Sequence, residues 1–543
     1  MAFCISELVA GVAGAVADRD AFVTPDRRIG WPEFDKLVTE VAHGFQAAGL
    51  GCHGDVADAG DLEHRIGSVQ DHVGILCGNR PEYVITMVGC FRARAVPVNM
   101  NYRYTADELE YLIKDADLRA VVYEARYAPA LADALGRTGR LELLVRIDDG
   151  SGTEPVPGSI DYDDFRATPS VEQLPAPQAD DRYILYTGGT TGFPKGVLWR
   201  QSDWFMAALN GAKHGFETVD DVVARAARSR PLPGLCASPY MHGGGHWAAF
   251  NILLQGGTVV FQPSADRLDA DAIWSTVETE RVVFMQVIGD AFLGPLLDGL
   301  VAGDYDTSSL RFILSSGAIA SPARKAALIE RIPRLRFIDA MGASETGGTA
   351  IAEGRADEPS PDFALESSAV VLGHDGASEA EPGEEGLLAQ TGYVPLGYYK
   401  DAQKTQATFP VVDGVRYSVP GDRAIRLDSG RITMLGRGSG CINSGGEKIY
   451  PEEIEQVLKG HSAVDDVLVA GVPDDRFGQK VGAVVALRAG ASASSDELGA
   501  YLREHLAGYK IPRQWRIGHE RVSRNQVGKP DYAWARDVLE APG

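Results

Sequence analysis

The chain has 543 residues, of which 45% are hydrophobic and 23% charged, a composition typical of a folded protein with more than one domain. Its formal net charge of −23 opposes binding to nucleic acid or anionic lipid, so a phosphate-bearing ligand requires a local cationic pocket. Six scattered cysteines without Cys-x-x-Cys spacing indicate free thiols in a reducing cytoplasm rather than a zinc site or a disulfide framework.

The N-terminal region gives no sign of a targeting or membrane segment. Residues 9–17 are apolar, but Glu7 precedes them and Asp18 follows, which does not fit a secretory signal. No apolar run approaches the roughly 18 residues that span a bilayer. We therefore expect a cytoplasmic protein without integral membrane association. The acidic stretch 52–71 is expected to be a disordered surface loop, with a partner contact as the alternative.

Short apolar runs alternate with segments of helical period through the first two thirds of the chain. This alternation predicts βαβ units and therefore an α/β body. The predicted strands are 73–76, 120–123, 143–145, 282–287 and 312–314.

A glycine- and threonine-rich run follows the predicted strand at Tyr183. Residues 186–196 read Tyr-Thr-Gly-Gly-Thr-Thr-Gly-Phe-Pro-Lys-Gly. Glycines let backbone N–H groups turn toward an anion, while hydroxyls and a lysine add donors and charge. The run is not a Walker A loop, because Lys195 follows a proline. The predicted phosphate-binding residues are Thr187, Gly188, Gly189, Thr190, Thr191, Gly192 and Lys195.

This run resembles the signature Tyr-Thr-Ser-Gly-Thr-Thr-Gly-x-Pro-Lys-Gly of the adenylate-forming superfamily, which includes acyl-CoA synthetases, peptide-synthetase adenylation domains and beetle luciferases. Gly188 is the one departure. The resemblance implies a large multi-subdomain N-terminal α/β body followed by a small mobile α+β C-terminal domain. We place the two at 1–436 and 437–543. It also implies ATP, Mg²⁺ and coenzyme A as cofactors.

The segment Pro239-Tyr-Met-His242 resembles the one whose aromatic residue or histidine gates the acyl site in this superfamily. The resemblance gives His242 a catalytic role and implies that the residues after it line the acyl pocket. The spacing of His242 and His246 would suit a zinc pair on a helix, but three intervening glycines argue against a helix and against the metal. The predicted substrate-site residues are His242, Gly243, Gly244, His246 and Trp247.

Four further segments resemble parts of the nucleotide site, and one of them, Ser315-Ser-Gly-Ala318, resembles the segment that flanks adenine and the acyl group. Met341-Gly-Ala-Ser-Glu345 resembles Tyr-Gly-x-Thr-Glu, which implies that Ser344 contacts the α-phosphate and that Glu345 helps to bind Mg²⁺. Asp422 corresponds to an aspartate that accepts hydrogen bonds from ribose, and Arg437 to an arginine on ribose or phosphate. The residues implied here are Gly317, Ala318, Asp339, Met341, Gly342, Ser344, Asp422 and Arg437.

A different pattern begins after Gly436. The glycine-rich run 436–441 is the expected hinge, because glycine tolerates large φ/ψ changes. Pro451 and the acidic residues after it predict the start of a helix. Strands are predicted at 464–472 and 481–487, and then a helix capped near Ser494 or Ser495.

Two segments in this part of the chain resemble functional segments of the superfamily. Small residues at Gly445 and Gly446 imply room for a pantetheine arm. Lys529 corresponds to a mobile lysine that reaches the acyl carboxylate and the α-phosphate.

Together these resemblances predict an AMP-forming acid–thiol ligase, an acyl-CoA synthetase whose partners are ATP, coenzyme A and a small-molecule carboxylic acid. Over its whole length the chain looks similar to actinobacterial ligases of fatty acids and steroid side chains, which favours a bulky steroid or terpenoid acid. Open alternatives are a medium/long-chain fatty acyl-CoA ligase, an enzyme that passes its acyl-adenylate to a separate partner, a luciferase-like oxidase and a non-catalytic nucleotide-binding protein. The oligomeric state is also open, a homodimer included.

Overall fold

The chain forms alternating strands and helices through most of its length. The computed structural model describes residues 3–56, 61–139, 141–187, 193–264, 267–317, 320, 322–354, 362–373, 376, 378–437, 441–523 and 531–541. All five strands predicted in the first two thirds of the chain are present within one or two residues of their predicted bounds. The mixed α/β body and the small C-terminal unit agree with the predicted fold class.

One body sheet has eight strands among the described residues, and those at its centre are parallel. The central strand His72–Leu76 is buried along its whole length, as expected where helices cover both faces of a parallel sheet. In spatial order the strands are Gly397–Tyr398, Lys195–Arg200, Arg182–Thr187, Val96–Asn99, His72–Leu76, Leu118–Glu124, Leu143–Ile147 and Ile160–Asp161.

The second body sheet has fifteen strands within the described ranges, parallel from Asp20–Val23 to Arg336–Ala343 and antiparallel beyond. Its path in spatial order is Arg28–Gly30, Asp20–Val23, Thr258–Val260, Pro233–Cys236, Phe284–Val287, Phe312–Ser316, Arg336–Ala343, Gly347–Gly354, Phe363–Leu365, Arg431–Arg437, Asp422–Arg426, Glu385–Thr391, Val415–Ser418 and Val411–Val412, with Ala369–Leu372 beside Glu385–Thr391.

Helices pack against both sheets and bury most of the apolar side chains. In the body they are Ile5–Ala15, Trp31–Ala47, Leu62–Arg65, Pro81–Arg92, Ala106–Asp115, Ala128–Thr138, Tyr162–Arg166, Gln201–Ala208, Val219–Arg228, Gly243–Leu253, Ala270–Thr279, Gly289–Ala302, Pro322–Arg331 and Ala402–Thr408.

From Ile442 onward the strands form a separate sheet, and we call residues 441–541 the C-terminal unit. Its described strands are Glu447–Ile449, Ile442–Ser444, Gly478–Leu487 and Val464–Asp474, with Gln514–Gly518 beside Gly478–Leu487. Its helices are Pro451–Lys459, Ser495–His505 and Tyr532–Glu540. Pro451 occupies the first turn as predicted, and Ser494 caps the next helix through a reciprocal contact with Glu497.

The described part of the acidic stretch 52–71 lies mostly at the surface, as predicted, but the prediction of a disordered loop needs correction, because the stretch includes the helix Leu62–Arg65 and buried residues that bond to the body. The buried Asp71 accepts hydrogen bonds from the backbone of Gly51 and from Arg119. The carbonyl oxygen of Val56 accepts a hydrogen bond from Arg182. Buried charges and carbonyls require such partners, and the stretch supplies them within the fold.

In the part of the chain that the structure describes, no helix combines the length and the apolar character needed to cross a bilayer.

Candidate active site

A cavity of about 540 Å³ runs from the C-terminal unit into the body. At one end it is lined by Gly446 and Lys510 of the C-terminal unit. Its walls then pass between strands of the two body sheets, with Leu185 on one side and Leu314 on the other. The volume lies in the range of ligand sites, and the cavity walls include Thr187, His242, Gly317 and residues 341–344 from the segments that the sequence assigned to the acyl and nucleotide sites.

One face of the helix Gly243–Leu253, which we call the cavity helix, lines the cavity over much of the helix length. The lining positions recur at the spacing of a single helical face. From Gly243 to Ile252 the helix rises about 14 Å. The lining residues on this helix are Gly243, Gly244, Gly245, Trp247, Ala248, Asn251 and Ile252.

The prediction that the three glycines prevent a helix is wrong, because the cavity helix begins at Gly243 with His242 as its N-cap residue. A side chain at Gly245 would collide with the carbonyl oxygen of Pro239, and one at Gly244 would lie 3.3 Å from the Ser316 hydroxyl. The glycines therefore allow close approach of the first turn, where loss of helix propensity costs least.

The assignment of His246 to the acyl pocket also needs correction. His246 is fully buried and does not line the cavity. Its Nδ1 lies 2.7 Å from the carbonyl oxygen of Tyr240, and its Nε2 lies 2.5 Å from the Tyr183 hydroxyl. Burial lowers the pKa of His246 to about 4, so the ring is neutral at physiological pH. His246 thus packs the helix into the core, whereas His242, Gly243, Gly244 and Trp247 do line the cavity.

Several predicted nucleotide-site residues meet on the same cavity wall. Thr187 ends one strand of the eight-stranded sheet, Gly317 follows a strand of the other sheet with φ of 81°, and Met341 to Ser344 close the wall between them. A side chain at Gly342 would collide with the carbonyl oxygen of Gly347. The phosphate-loop residues Gly188, Gly189, Thr190, Thr191 and Gly192 lie outside the described residues, as does Ala318.

Glu345, the predicted magnesium ligand, is a buried carboxylate behind this wall. The Tyr398 hydroxyl donates a 2.7 Å hydrogen bond to its Oε1. Burial, and secondarily the charge of Glu345, raise the pKa of Tyr398, so the phenol stays protonated and can donate to the carboxylate. One carboxylate fits Mg²⁺ in such a site, because Mg²⁺ takes its other ligands from substrate phosphates and water. No group of three or more ligating side chains occurs in the described ranges.

Three other predicted nucleotide-site residues do not line the cavity. Lys195 forms an ion pair with Asp401, and Asp339 lies 2.7 Å from the ammonium of Lys325. Although partial burial opposes it, the Lys195 contact lowers the pKa of Asp401. Asp422 lies opposite the backbone of Arg437 in paired strands. Residues 438–440 of the expected hinge fall outside the described residues.

Gly445 and Gly446 bring the C-terminal unit against the body. Both have positive φ, 61° and 88°, in the turn between Ile442–Ser444 and Glu447–Ile449. A side chain at Gly446 would collide with Ile288. A second cavity, of about 220 Å³, opens beside this turn, with Arg103 and Arg513 in its wall. The two cavities lie side by side at this turn, because the walls of both include His242, Ile288 and Gly446.

Two charged residues of the C-terminal unit that sequence reasoning did not single out, Glu447 and Lys510, also contact the body. Glu447 forms an ion pair with Arg103 and lies 3.3 Å from Nε2 of His242. Lys510 is buried between Glu108 of the body and Glu453, with both oxygens 2.6 Å from its Nζ. A lysine between the apolar residues of 506–511 was the available signal. The predicted mobile lysine, Lys529, lies outside the described residues.

Comparison with known proteins agrees with this geometry. The profile described as AMP-binding enzyme matches residues 10–399, and the profile described as AMP-binding enzyme C-terminal domain matches 453–529. The chain therefore belongs to the AMP-binding enzyme family, which confirms the predicted adenylate-forming relationship.

Relatives match almost the whole chain. "Medium-chain acyl-CoA ligase Mig" of Mycobacterium avium is 41% identical, with 99% of this chain and 98% of the relative covered. "Medium/long-chain-fatty-acid–CoA/3-oxocholest-4-en-26-oate–CoA ligase" of Mycobacterium marinum is 39% identical, covering 100% and 97%. In fold, the chain is similar to the amide bond synthetase McbA of Marinactinospora thermotolerans, with a TM-score of 0.79, 21% identity, and 98% and 99% of the two chains covered.

Proposed function

We propose that this protein is an ATP-dependent acyl-CoA synthetase that activates a hydrophobic, bulky polycyclic carboxylic acid through an acyl-adenylate. The observation that carries the proposal is the single cavity that joins the nucleotide segments, the cavity helix and the turn at Gly446. Such a space lets one carboxylate meet a nucleotide and then a thiol without leaving the protein. The names of the two relatives, both acyl-CoA ligases, support the same reaction.

The cavity walls support a hydrophobic and elongated acid. The cavity walls include Ala248 and Ile252 on the cavity helix, and Ile338 and Ile351 on strands of the larger sheet. Transfer of apolar surface into such walls contributes roughly 25 cal/mol per Å². A steroid or terpenoid acid is our preferred class, because a relative is named for a cholestenoate. A medium- or long-chain fatty acid is the second candidate, favoured by the name of the M. avium relative.

The first half-reaction follows from the charges around the nucleotide segments. A carboxylate oxygen of the acid attacks the α-phosphorus of ATP, and pyrophosphate leaves. Mg²⁺ held by Glu345 would neutralise phosphate charge, while Lys195 and Lys529 contact phosphate and carboxylate oxygens. Thr187 and Ser344 line the same wall and supply hydroxyl donors.

The second half-reaction places coenzyme A at the smaller cavity. Its thiol sulfur attacks the carbonyl carbon of the adenylate, and AMP leaves with the carboxylate oxygen. Arg103 and Arg513 line this cavity in a chain whose mean charge is strongly negative, which gives a polyanionic ligand a local cationic site. Glycines at 445 and 446 leave the path of the pantetheine arm of coenzyme A free of side chains. Both substrates are cytoplasmic metabolites, so we place the enzyme in the cytoplasm.

A screen of acids tests the proposal. Purified protein is incubated with ATP, Mg²⁺ and steroid, terpenoid, aromatic or fatty acids, with and without coenzyme A, while pyrophosphate and thioester are measured. Thioester formed only with coenzyme A, and fastest with polycyclic acids, supports the proposal. Fastest turnover of fatty acids would select the second candidate. Pyrophosphate released at an unchanged rate without any thioester would indicate an enzyme that hands its adenylate to another protein.

The variant Lys529→Ala separates the two half-reactions. Loss of a cation near the developing charge is expected to slow adenylate formation by at least a hundredfold, while thioester formation from supplied acyl-adenylate keeps its rate. An equal loss in both half-reactions would contradict this division of roles.

A further inference from the structure

A short segment of the body, residues 397–401, contacts two of the charged side chains that the proposed function assigns to Mg²⁺ and the phosphates, Glu345 and Lys195. Its first two residues form an edge strand antiparallel to Lys195–Arg200, with Tyr398 opposite Val197. The amide of Tyr399 donates a 2.8 Å hydrogen bond to the carbonyl oxygen of Gly196. The segment is therefore fixed to the strand that follows the phosphate loop.

The two contacts come from side chains three residues apart. The buried Tyr398 donates its hydroxyl hydrogen to Oε1 of Glu345 at 2.7 Å, and its ring packs on Phe409. Asp401 uses one carboxylate oxygen for the ion pair with Lys195 and the other to accept a 2.8 Å hydrogen bond from the amide of Lys404. That second bond caps the helix Ala402–Thr408 and holds the Asp401 side chain in place.

The backbone around the segment is closely packed. A side chain at Gly397, where φ is 155°, would collide with Thr405, and the Thr405 hydroxyl accepts a 2.9 Å hydrogen bond from the amide of Tyr398. The amide of Lys400 donates to the carbonyl oxygen of Ile66, in the stretch 52–71. Two charged groups that must act on one triphosphate are thus held by one rigid element, which is the support a preorganised site needs.

We propose that Tyr398 and Asp401 are positioning residues for adenylate formation, Tyr398 orienting the Glu345 carboxylate toward Mg²⁺ and Asp401 holding the Lys195 ammonium for the phosphates. This inference rests on the proposed function for its chemistry. Neither residue lines the cavity, so Tyr398 acts through its hydrogen bond to Glu345 and Asp401 through its ion pair with Lys195. A carboxylate without its donor samples more rotamers, and its affinity for a cation that demands near-ideal geometry falls.

ATP binding measured by calorimetry with and without Mg²⁺, in the absence of any acid, tests the Tyr398 contact. Tyr398→Phe retains the ring and its contact with Phe409 and removes the hydroxyl. We expect the gain in ATP affinity on adding Mg²⁺ to fall at least fivefold, with affinity for metal-free ATP unchanged within twofold. Tyr399→Phe is the matched control. Tyr399 lies in the same segment, and its hydroxyl donates to Asp117 but contacts neither Glu345 nor Lys195.

Asp401→Asn tests the second contact, since asparagine can still cap the helix. Without the anionic partner, the Lys195 charge is fully available to phosphate but no longer held. We expect the KM for ATP to stay the same or fall, and the kcat of adenylate formation to fall at least tenfold. Thioester formation from supplied adenylate should keep its rate, which a general loss of folding would not allow.

Three results would overturn the inference: an unchanged Mg²⁺ effect in Tyr398→Phe, an equal loss in Tyr399→Phe, or no Mg²⁺ effect on ATP binding by the unaltered protein. Because the calorimetry uses neither acid nor coenzyme A, it remains decisive if the acid screen fails. Failure of the proposed function would instead appear as an absence of pyrophosphate release with every acid.

Discussion

Glu447 and Glu453 lie six residues apart in the C-terminal unit and are both buried, yet their pKa values shift in opposite directions. Burial alone would raise both. For Glu447 the nearby His242 and Arg103 of the body outweigh burial and lower its pKa to about 2. For Glu453, burial raises the pKa by more than the Lys510 ammonium lowers it. The charge of Glu108 raises it further, so the pKa of Glu453 is about 7.

The two regions differ in the number of basic side chains available to each carboxylate. Beside Glu447, the Arg103 guanidinium and the His242 imidazole of the body face one carboxylate. Beside Glu453, one ammonium serves two carboxylates, at 2.6 Å from each, between the rings of Tyr104 and Tyr509. The body therefore contributes the Arg103 cation at the first region and the Glu108 carboxylate, an additional anion, at the second. Contact between the two units is stabilised by ionisation at Glu447 and by proton uptake at Glu453.

The largest expected effect comes from removing the shared cation. Lys510→Met leaves Glu108 and Glu453 buried without a cation, and loss of one partner from a buried ion pair costs about 3 to 5 kcal/mol. Urea denaturation should show a loss of this size in the free energy of unfolding at pH 7.5. The control is Lys459→Met, which removes a partly exposed pair with Asp466 and should cost below about 1 kcal/mol. Equal effects would show that the Lys510 cluster is not a stabilising contact.

A smaller effect concerns pH at Glu453. Its pKa in the folded protein is raised above the ordinary glutamate value of 4.5, so the folded state binds the proton more tightly than the unfolded state. This contribution to the free energy of unfolding is present below about pH 4.5 and is lost as pH rises to about 7, by an amount on the order of 2 to 3 kcal/mol.

Glu453→Gln should remove this pH dependence. The measurement is the melting temperature of both proteins between pH 5 and pH 8. The unaltered protein should lose more stability over that interval than the variant. Parallel curves would contradict the raised pKa.

The smallest of the three effects comes from Glu447→Gln. The lowered pKa means that ionised Glu447 stabilises the fold above about pH 4.5, and that this contribution is lost as pH falls toward 2. Since Arg103 and His242 are about one third exposed, solvent reduces the effect to roughly 1 to 2 kcal/mol at pH 7. Denaturation at pH 7 and pH 3.5 checks it: the difference between variant and parent should be smaller at pH 3.5. A larger difference at pH 3.5 would contradict the lowered pKa of Glu447.

Local patterns predicted the regular elements of this fold. Pro451 and Ser494 mark helix starts because first-turn chemistry is local, and buried strands appear as continuous apolar runs. The glycines after His242 led to the wrong prediction that no helix forms there. A tertiary contact with Pro239 requires the glycine at 245, and sequence spacing does not reveal such a contact.

The site was predictable only where a motif is contiguous. Thr187, Gly317, Met341, Ser344 and Gly446 line one cavity although they come from separate runs, as the resemblance implied. Contacts between distant positions had no local signature: Lys510 is 402 residues from Glu108, and Lys195 is 206 from Asp401. His246 shows the opposite failure, since adjacency to a pocket motif does not tell which way a helical side chain points.

Isotope tracing of the carboxylate tests the central claim most directly. The preferred acid, labelled with ¹⁸O in both carboxyl oxygens, is incubated with ATP, Mg²⁺, coenzyme A and the protein. Because a carboxylate oxygen bonds to the α-phosphorus and stays there when the thioester forms, AMP should carry one ¹⁸O and the acyl-CoA the other. Formation of ADP, or AMP without the label, would contradict the acyl-adenylate route.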